Sequence, residues 1–378
     1  MGFLVEAFVA LQWYHYVMWV IGGGLIFIAI RFKVEPALLL PIGFGCILVN
    51  IPLTSVLTQT AEDGSEIVGI LSWLYEVGID ASEAMPILLF IGIGAMIDFE
   101  PLIANPKLMF LGGFAQIGIF LTIILAICFG FDLQDAASIG IIGAADGPTS
   151  ILVANQLGSN YTAQIIIVAY SYMALVPIIQ PMVIKLCTTK KERLIRMDKQ
   201  KTVKVSRLAK ILFPIVITFV AGMIAPASLA LVGFLMFGNL LKECLVLDSM
   251  RDTAKDILAN LVTLLLGITI AASMGGEQFL KLETLIIMGL GLLAFAFDTM
   301  GGVFFAKFLN LFLKNKINPM IGGAGISAFP MSARVVHKMG LKEDPTNHLL
   351  MHAVGANVSG QIASAIIGGL ILSLVPAA

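Results

Sequence analysis

The chain has 378 residues with 23 Lys/Arg against 24 Asp/Glu, a net charge of −1, and is 58% hydrophobic but only 12% charged. With a mean hydropathy of +0.97, such a composition belongs in lipid and excludes an ordinary soluble globular domain. The near-zero charge also excludes nucleic-acid binding, which needs a basic surface to neutralise phosphates.

A charge-free stretch can hold a membrane segment when it reaches about 20 residues. Such stretches run over 7–30, 36–61, 108–131, 147–184, 211–241, 257–276 and 345–378, and two further apolar stretches near 85–97 and 284–306 are interrupted only by Asp298. The expected fold is an all-α polytopic membrane protein of about ten or eleven membrane segments, some of them broken or re-entrant. Residues 1–80 are expected to form N-terminal membrane helices, 81–184 a first repeat, 185–210 a basic loop and 211–378 a second repeat. No short basic region and cleavage site precede the first span, so residues 1–30 read as a retained helix. Cys46, Cys128, Cys187 and Cys244 lie far apart without a CxxC pair and read as small apolar residues.

The loop at 185–210 carries Lys185, Lys190, Lys191, Arg193, Arg196, Lys199, Lys201, Lys204, Arg207 and Lys210 against Glu192 and Asp198. The positive-inside rule places it in the cytoplasm. It is either a topology anchor alone or a landing surface for an acidic soluble partner. On either side of it the chain shows a faint echo: IGAADGPT at 142–149 and IGGAGISAFP at 321–330. Glycine, alanine and proline at this density make a poor straight helix. Broken segments whose freed backbone groups are satisfied by protein or a cavity fit better, and tight packing through small residues is the other option. A pair of such segments in the two halves is expected of an inverted repeat, in which unwound backbone meets near the midplane.

Charged and amide side chains within the apolar stretches mark candidate sites, because lipid penalises them. Asp146, in GIIGAADGPTS, has Thr149 and Ser150 as neighbouring oxygens, and Gly147-Pro148 opens the backbone. Several oxygens and one negative charge suit a monovalent cation or a proton; a structural pair with a buried base is the alternative. Asp298, in FAFDTMGGVFF, is either a further ion-site residue or a cap at a helix break. In NPMIGGAGISAFPMSARV, Asn318 and Ser327 supply neutral oxygens, while Arg334 can neutralise Asp146, attract a carboxylate or snorkel to the interface. Asn357 places another carboxamide among small residues. Tyr170 and Tyr172 stand two apart in YSYMALVPIIQP, where interfacial anchoring competes with proton donation.

Other chemistries find no support. His348 and His352 are spaced i,i+4 but lack an HExxH carboxylate or a third ligand. There is no Walker A motif and no G-x-G-x-x-G fingerprint, so ATP hydrolysis and dinucleotide binding are not expected.

Taken in order, GIIGAADGPTSI (140–151), YSYMALVPIIQP (170–181), FGNLLKE (237–243), FDTMGG (297–302), NPMIGGAGISAFPMSARV (318–335) and HAVGANVSG (352–360) resemble the beta subunit of the biotin-dependent sodium-pumping decarboxylases. The resemblance covers nearly the whole chain, least distinctly its first 80 residues, where it assigns no ligand. It implies an enzyme subunit of the cell inner membrane that decarboxylates carboxybiotin, consumes a proton from the outer side and exports sodium. The carboxybiotin is expected on a biotin carrier subunit or domain, not attached to this chain. A soluble carboxyltransferase alpha subunit and a small membrane gamma or delta subunit are the further expected partners, and the beta subunit can itself form a homo-oligomer. The parent substrate is implied only as oxaloacetate, methylmalonyl-CoA, glutaconyl-CoA or malonate.

Carried over by position, the resemblance gives Asp146 as the essential aspartate and Tyr172 as the proton relay. Asn318, Gly322, Ser327 and Arg334 are the functional positions of the later segment, and Asp298 and Asn357 complete sodium coordination. The expected sodium set is Asp146, Thr149, Asp298, Asn318, Gly322, Ser327 and Asn357, with Arg334 orienting the biotin-borne carboxylate. A sodium- or proton-coupled secondary transporter of an organic anion is the alternative that the polar residues alone leave open.

Overall fold

The computed structural model describes residues 6, 8–33, 36–60, 64–81, 83–197 and 205–376. Lys199, Lys201, Lys204 and Asp198 of the basic loop lie outside the described residues. The fold is helical, as the long apolar runs dictate. The one strand pair among the described residues joins Gln59–Thr60 to Glu66–Ile67, antiparallel.

The first half contains α1 (Trp13–Phe32), α2 (Pro36–Val49), α3 (Ala84–Met96), α4 (Leu108–Ala115), α5 (Ile117–Cys128), α6 (Leu133–Gly140), α7 (Gly147–Gln156) and α8 (Thr162–Cys187). The second contains α9 (Arg207–Ile224), α10 (Leu229–Glu243), α11 (Ala259–Ile270), α12 (Leu282–Phe312), α13 (Met331–Glu343) and α14 (Leu350–Leu374). Where sequence allows, ends are capped: Asp132 accepts from the Asp135 amide at the start of α6, and Ser206 from the Ala209 amide at the start of α9.

Six continuous helical stretches have the length and composition to cross a membrane: α1, α4–α5 together, α9, the Asp248–Ser273 stretch that includes α11, α12 and α14. Two further apolar stretches are bent, by 63° between Ile70–Asp80 and α3, and by 71° within α8 between Met173 and Leu175. Pro177 and Pro181 lie just beyond the α8 bend and remove two backbone donors. Against ten or eleven expected segments, the described residues thus supply six continuous helices and two bent pairs. The remaining apolar sequence goes into shorter helices such as α2, of 14 residues. The outer faces are themselves apolar, with Phe219 and Met223 of α9 more than 70% exposed, as a multi-pass membrane protein requires.

The interior is built around α14. Its small residues let other backbones approach: a Cβ on Gly360 would run into the Gly325 carbonyl, and one on Gly112 of α4 would meet Ser359. The Ser359 hydroxyl donates to the Leu108 carbonyl (2.9 Å) and accepts from the Gly112 amide (3.1 Å), fastening α14 to α4.

Candidate functional site

Two interruptions meet at the centre of the fold. After α6 the chain tightens into a 3₁₀ turn, Ile141–Ala144, reverses at Ala145 (φ 54°) and restarts as α7. A non-glycine residue in the left-handed region is strained, and such strain concentrates at functional sites. The second interruption follows a single helical turn at Met320–Gly323 and lasts until α13 begins at Met331. The Ser327 amide donates to the Ala144 carbonyl across 3.0 Å, so the two echo segments are in direct contact.

Asp146 sits at the first corner and is 3% exposed. Three donors converge on its Oδ2: the hydroxyl of Thr149 (2.6 Å), the amide of Gln361 (3.1 Å) and the hydroxyl of Ser364 (3.2 Å). No side-chain donor reaches Oδ1 among the described residues. Gln361 and Ser364 come from α14, where Asn357, Gln361 and Ser364 follow at i, i+4 and i+7 and share one face. Asn357 donates to the Ile326 carbonyl (2.6 Å), and its Oδ1 is buried without a partner. Ser327 donates through Oγ to the Gly360 carbonyl (3.0 Å).

Asp298, fully buried in α12, borders the same broken segment. Its Oδ1 accepts from the Ile119 amide (3.1 Å), capping the break between α4 and α5 from a neighbouring helix. Its Oδ2 has no hydrogen-bond partner among the described residues and lies where a Cβ on Gly143 would fall. The cap and the vacant acceptor therefore coexist in one side chain. Neither Asp146 nor Asp298 pairs with a base: every ion pair among the described residues lies elsewhere.

The structure brings Asp146, Thr149, Ser327 and Asn357 to the junction of the two broken segments and Asp298 to its flank. It does not bring Asn318 there. The Asn318 carboxamide donates to the Arg193 (2.8 Å) and Ile195 (2.9 Å) carbonyls of the basic loop, and its Oδ1 accepts from the Met320 amide (3.0 Å). Gly322 is a packing glycine, since a Cβ there would run into the Gly302 carbonyl of α12. Arg334 does not neutralise Asp146; its side chain is exposed in the first turn of α13, without an ion pair among the described residues. Tyr172 donates its hydroxyl to the Met288 carbonyl of α12. Tyr170 is not interfacial: it is 2% exposed, its ring against Gly147.

Sequence reasoning missed Gln361, Ser364 and two further amides. Gln116 donates to the Gly325 carbonyl (3.3 Å) and Gln180 to the Gly323 carbonyl (2.7 Å), so with Asn357 three carboxamides hold the second broken segment by its carbonyls. A re-entrant stretch in a membrane needs such donors, since its carbonyls have no helix to satisfy them.

A helical, polytopic membrane protein with two uncompensated carboxylates at the meeting point of broken segments is the class that this architecture defines. The family described as Na+-transporting oxaloacetate decarboxylase beta subunit matches residues 14–375. The methylmalonyl-CoA decarboxylase subunit beta of Propionigenium modestum is 46% identical over 379 residues, covering 95% of this chain and 94% of its own. The glutaconyl-CoA decarboxylase subunit beta of Acidaminococcus fermentans is 45% identical, covering 98% and 96%, and the oxaloacetate decarboxylase beta chain 2 of Salmonella typhi is 42% identical, covering 95% and 94%. The chain belongs to this family of sodium-transporting decarboxylase beta subunits. It is the membrane subunit that decarboxylates carboxybiotin and couples that reaction to sodium transport, which supersedes the secondary-transporter alternative.

Proposed function

We propose that the Asp146 cluster is the sodium site through which this subunit couples decarboxylation to ion movement. Asp146, Thr149, Ser327 and Asn357 form the proposed ligand set, and Asp298 is a second acidic position on the same broken segment. One observation carries the proposal: two buried carboxylates in a membrane interior have neutral donors around them and no basic partner among the described residues. Burying a carboxylate costs several kcal/mol unless a cation, a proton or good hydrogen bonds compensate it. Oxygen ligands around one negative charge supply what a hard monovalent ion needs, and the unpartnered Asn357 Oδ1 offers one more.

Asn318 and Gly322 support this site at a distance in the proposal, Asn318 by fastening the second broken segment to the basic loop and Gly322 by its close seat on α12. Biotin supplies the chemistry of carbon dioxide release, with a proton taken up at its ureido nitrogen. The exposed Arg334 guanidinium suits a carboxylate brought by a partner and orients it. Tyr172 is the proposed proton relay, beside Ile142 and Gly291 at the α8–α12 contact. Because a proton and a sodium ion both neutralise Asp146, they compete for it.

The proposed setting is the cell inner membrane, with the 185–210 loop in the cytoplasm by its charge. The proposed partners are a biotin carrier, a carboxyltransferase alpha subunit, a small membrane gamma or delta subunit and further copies of the beta subunit itself. Which acyl substrate feeds the complex is set by the carboxyltransferase. The inverted-repeat arrangement is supported by the contact between Ser327 and Ala144, one from each half. The test is equilibrium binding of isotopic sodium to the purified complex: saturable binding that D146N abolishes is expected, and wild-type binding by D146N would remove Asp146 from the site.

A further inference from the structure

Tyr170 has a buried hydroxyl for which the fold provides no use. The side chain is 2% exposed and the hydroxyl has no hydrogen-bond partner among the described residues. A phenylalanine would fill the same space without leaving a polar atom unpaired in a membrane interior. The ring lies on Gly147, the residue after Asp146, and a Cβ there would meet first the Cζ and then both Cε atoms of Tyr170. The hydroxyl-bearing end of the ring thus faces the corner where α7 begins. It is near enough to Asp146 for the carboxylate charge to act on it, yet it makes no hydrogen bond to the carboxylate, whose Oδ2 already takes Thr149, Gln361 and Ser364. Tyr172, two residues along the helix, differs in having its hydroxyl engaged by Met288.

We propose that Tyr170 is an ion-dependent ligand of the Asp146 site, its neutral hydroxyl oxygen coordinating sodium when the ion is bound and lacking a partner when it is not. This rests on Asp146 being the sodium site. A phenolic oxygen has lone pairs to offer a hard cation and adds no charge. Gly147 permits the arrangement, because any side chain there would displace the ring.

The test uses the full complex and equilibrium binding of isotopic sodium to Y170F and D146N, with thermal melts in sodium and in potassium buffer. Y170F is expected to bind sodium about tenfold more weakly, equivalent to about 1.4 kcal/mol. Its melting temperature in potassium stays level or rises, because an unpaired hydroxyl has been removed, while its sodium-induced rise shrinks. Wild-type affinity in Y170F beside lost binding in D146N overturns the role of Tyr170 and leaves the Asp146 site standing; wild-type affinity in D146N overturns the site itself. An equal loss of melting temperature by Y170F in both buffers makes Tyr170 a packing residue and also overturns the proposal.

Discussion

Asp146 takes three side-chain donors on one oxygen, and each donor can be removed separately. Ser364→Ala takes away the hydroxyl at 3.2 Å and leaves Thr149 and Gln361 in place. Hydrogen bonds to charged groups contribute about 1.5–3 kcal/mol, so S364A is expected to shift sodium affinity by at least about tenfold while the protein still inserts and folds. Isotopic sodium binding measures the shift, and unchanged affinity would mean that Ser364 only packs. Proton competition is checked with the same assay: lowering pH protonates Asp146 and removes the charge that attracts the ion, so half-saturating sodium should rise as pH falls. A pH-independent value would speak against a shared site. Asp146 itself was legible in the sequence, because a carboxylate amid apolar residues stands out. Gln361 and Ser364 were not: neutral polar residues are ordinary in membrane helices, and only their i+4 and i+7 spacing from Asn357 could have pointed to them. Tyr170 and Tyr172 were told apart only by the resemblance, since two residues along a helix face nearly opposite ways and the residues alone do not say which way the partner lies.

At the scale of elements, the broken segments depend on what fastens them. The segment after Met320 is held from one end by the basic loop, through Asn318 to the Arg193 and Ile195 carbonyls. The loop in turn pairs Arg193 with Glu343 (2.8 Å) and Arg196 with Asp344 (2.6 Å) at the end of α13. Asn318→Ala removes three hydrogen bonds, two of them to the loop, and is expected to destabilise the fold by about 1–3 kcal/mol; thermal melts of the purified complex measure this, and wild-type stability would contradict the fastening role. Asp344 supplies a pH signature. The Thr346 amide and hydroxyl, and then Arg196, hold its carboxyl below the ordinary aspartate value. A depressed carboxyl stabilises above its unfolded pKa and loses that contribution as pH falls through its folded one. The loop contact should therefore be insensitive to pH from neutrality down to about 4 and weaken below it. Proteolysis of the loop across that range reports the change, and D344N should lessen its acid dependence, leaving the part carried by the Arg193–Glu343 pair. That the two segments would break was readable from their Gly, Ala and Pro content. That Asn318 would be spent on the loop was not, because the pairing spans more than 120 residues of sequence.

At the scale of the whole molecule, the proposed ion site is interior while Arg334 is exposed in the first turn of α13, so the proposal separates the ion's binding place from the place open to a carboxylate. Arg334→Ala is accordingly expected to raise KM for free carboxybiotin by about tenfold or more, as loss of a charged hydrogen-bonding partner does, while equilibrium sodium binding stays at the wild-type level; a parallel loss of both would place Arg334 in the ion site. The membrane class followed directly from composition, whereas which apolar stretches run as continuous helices did not, because stretches such as 36–61 and 147–184 are divided by turns and breaks. The central claim is that Asp146 couples carboxybiotin decarboxylation to sodium movement. Its most direct test is the complete complex in sealed vesicles, with carbon dioxide release and isotopic sodium flux recorded together for wild type and Asp146→Asn. Coupled release and flux in the wild type, both lost in D146N while the complex still assembles in the membrane, is the predicted result. Wild-type sodium flux and decarboxylation by D146N would contradict it.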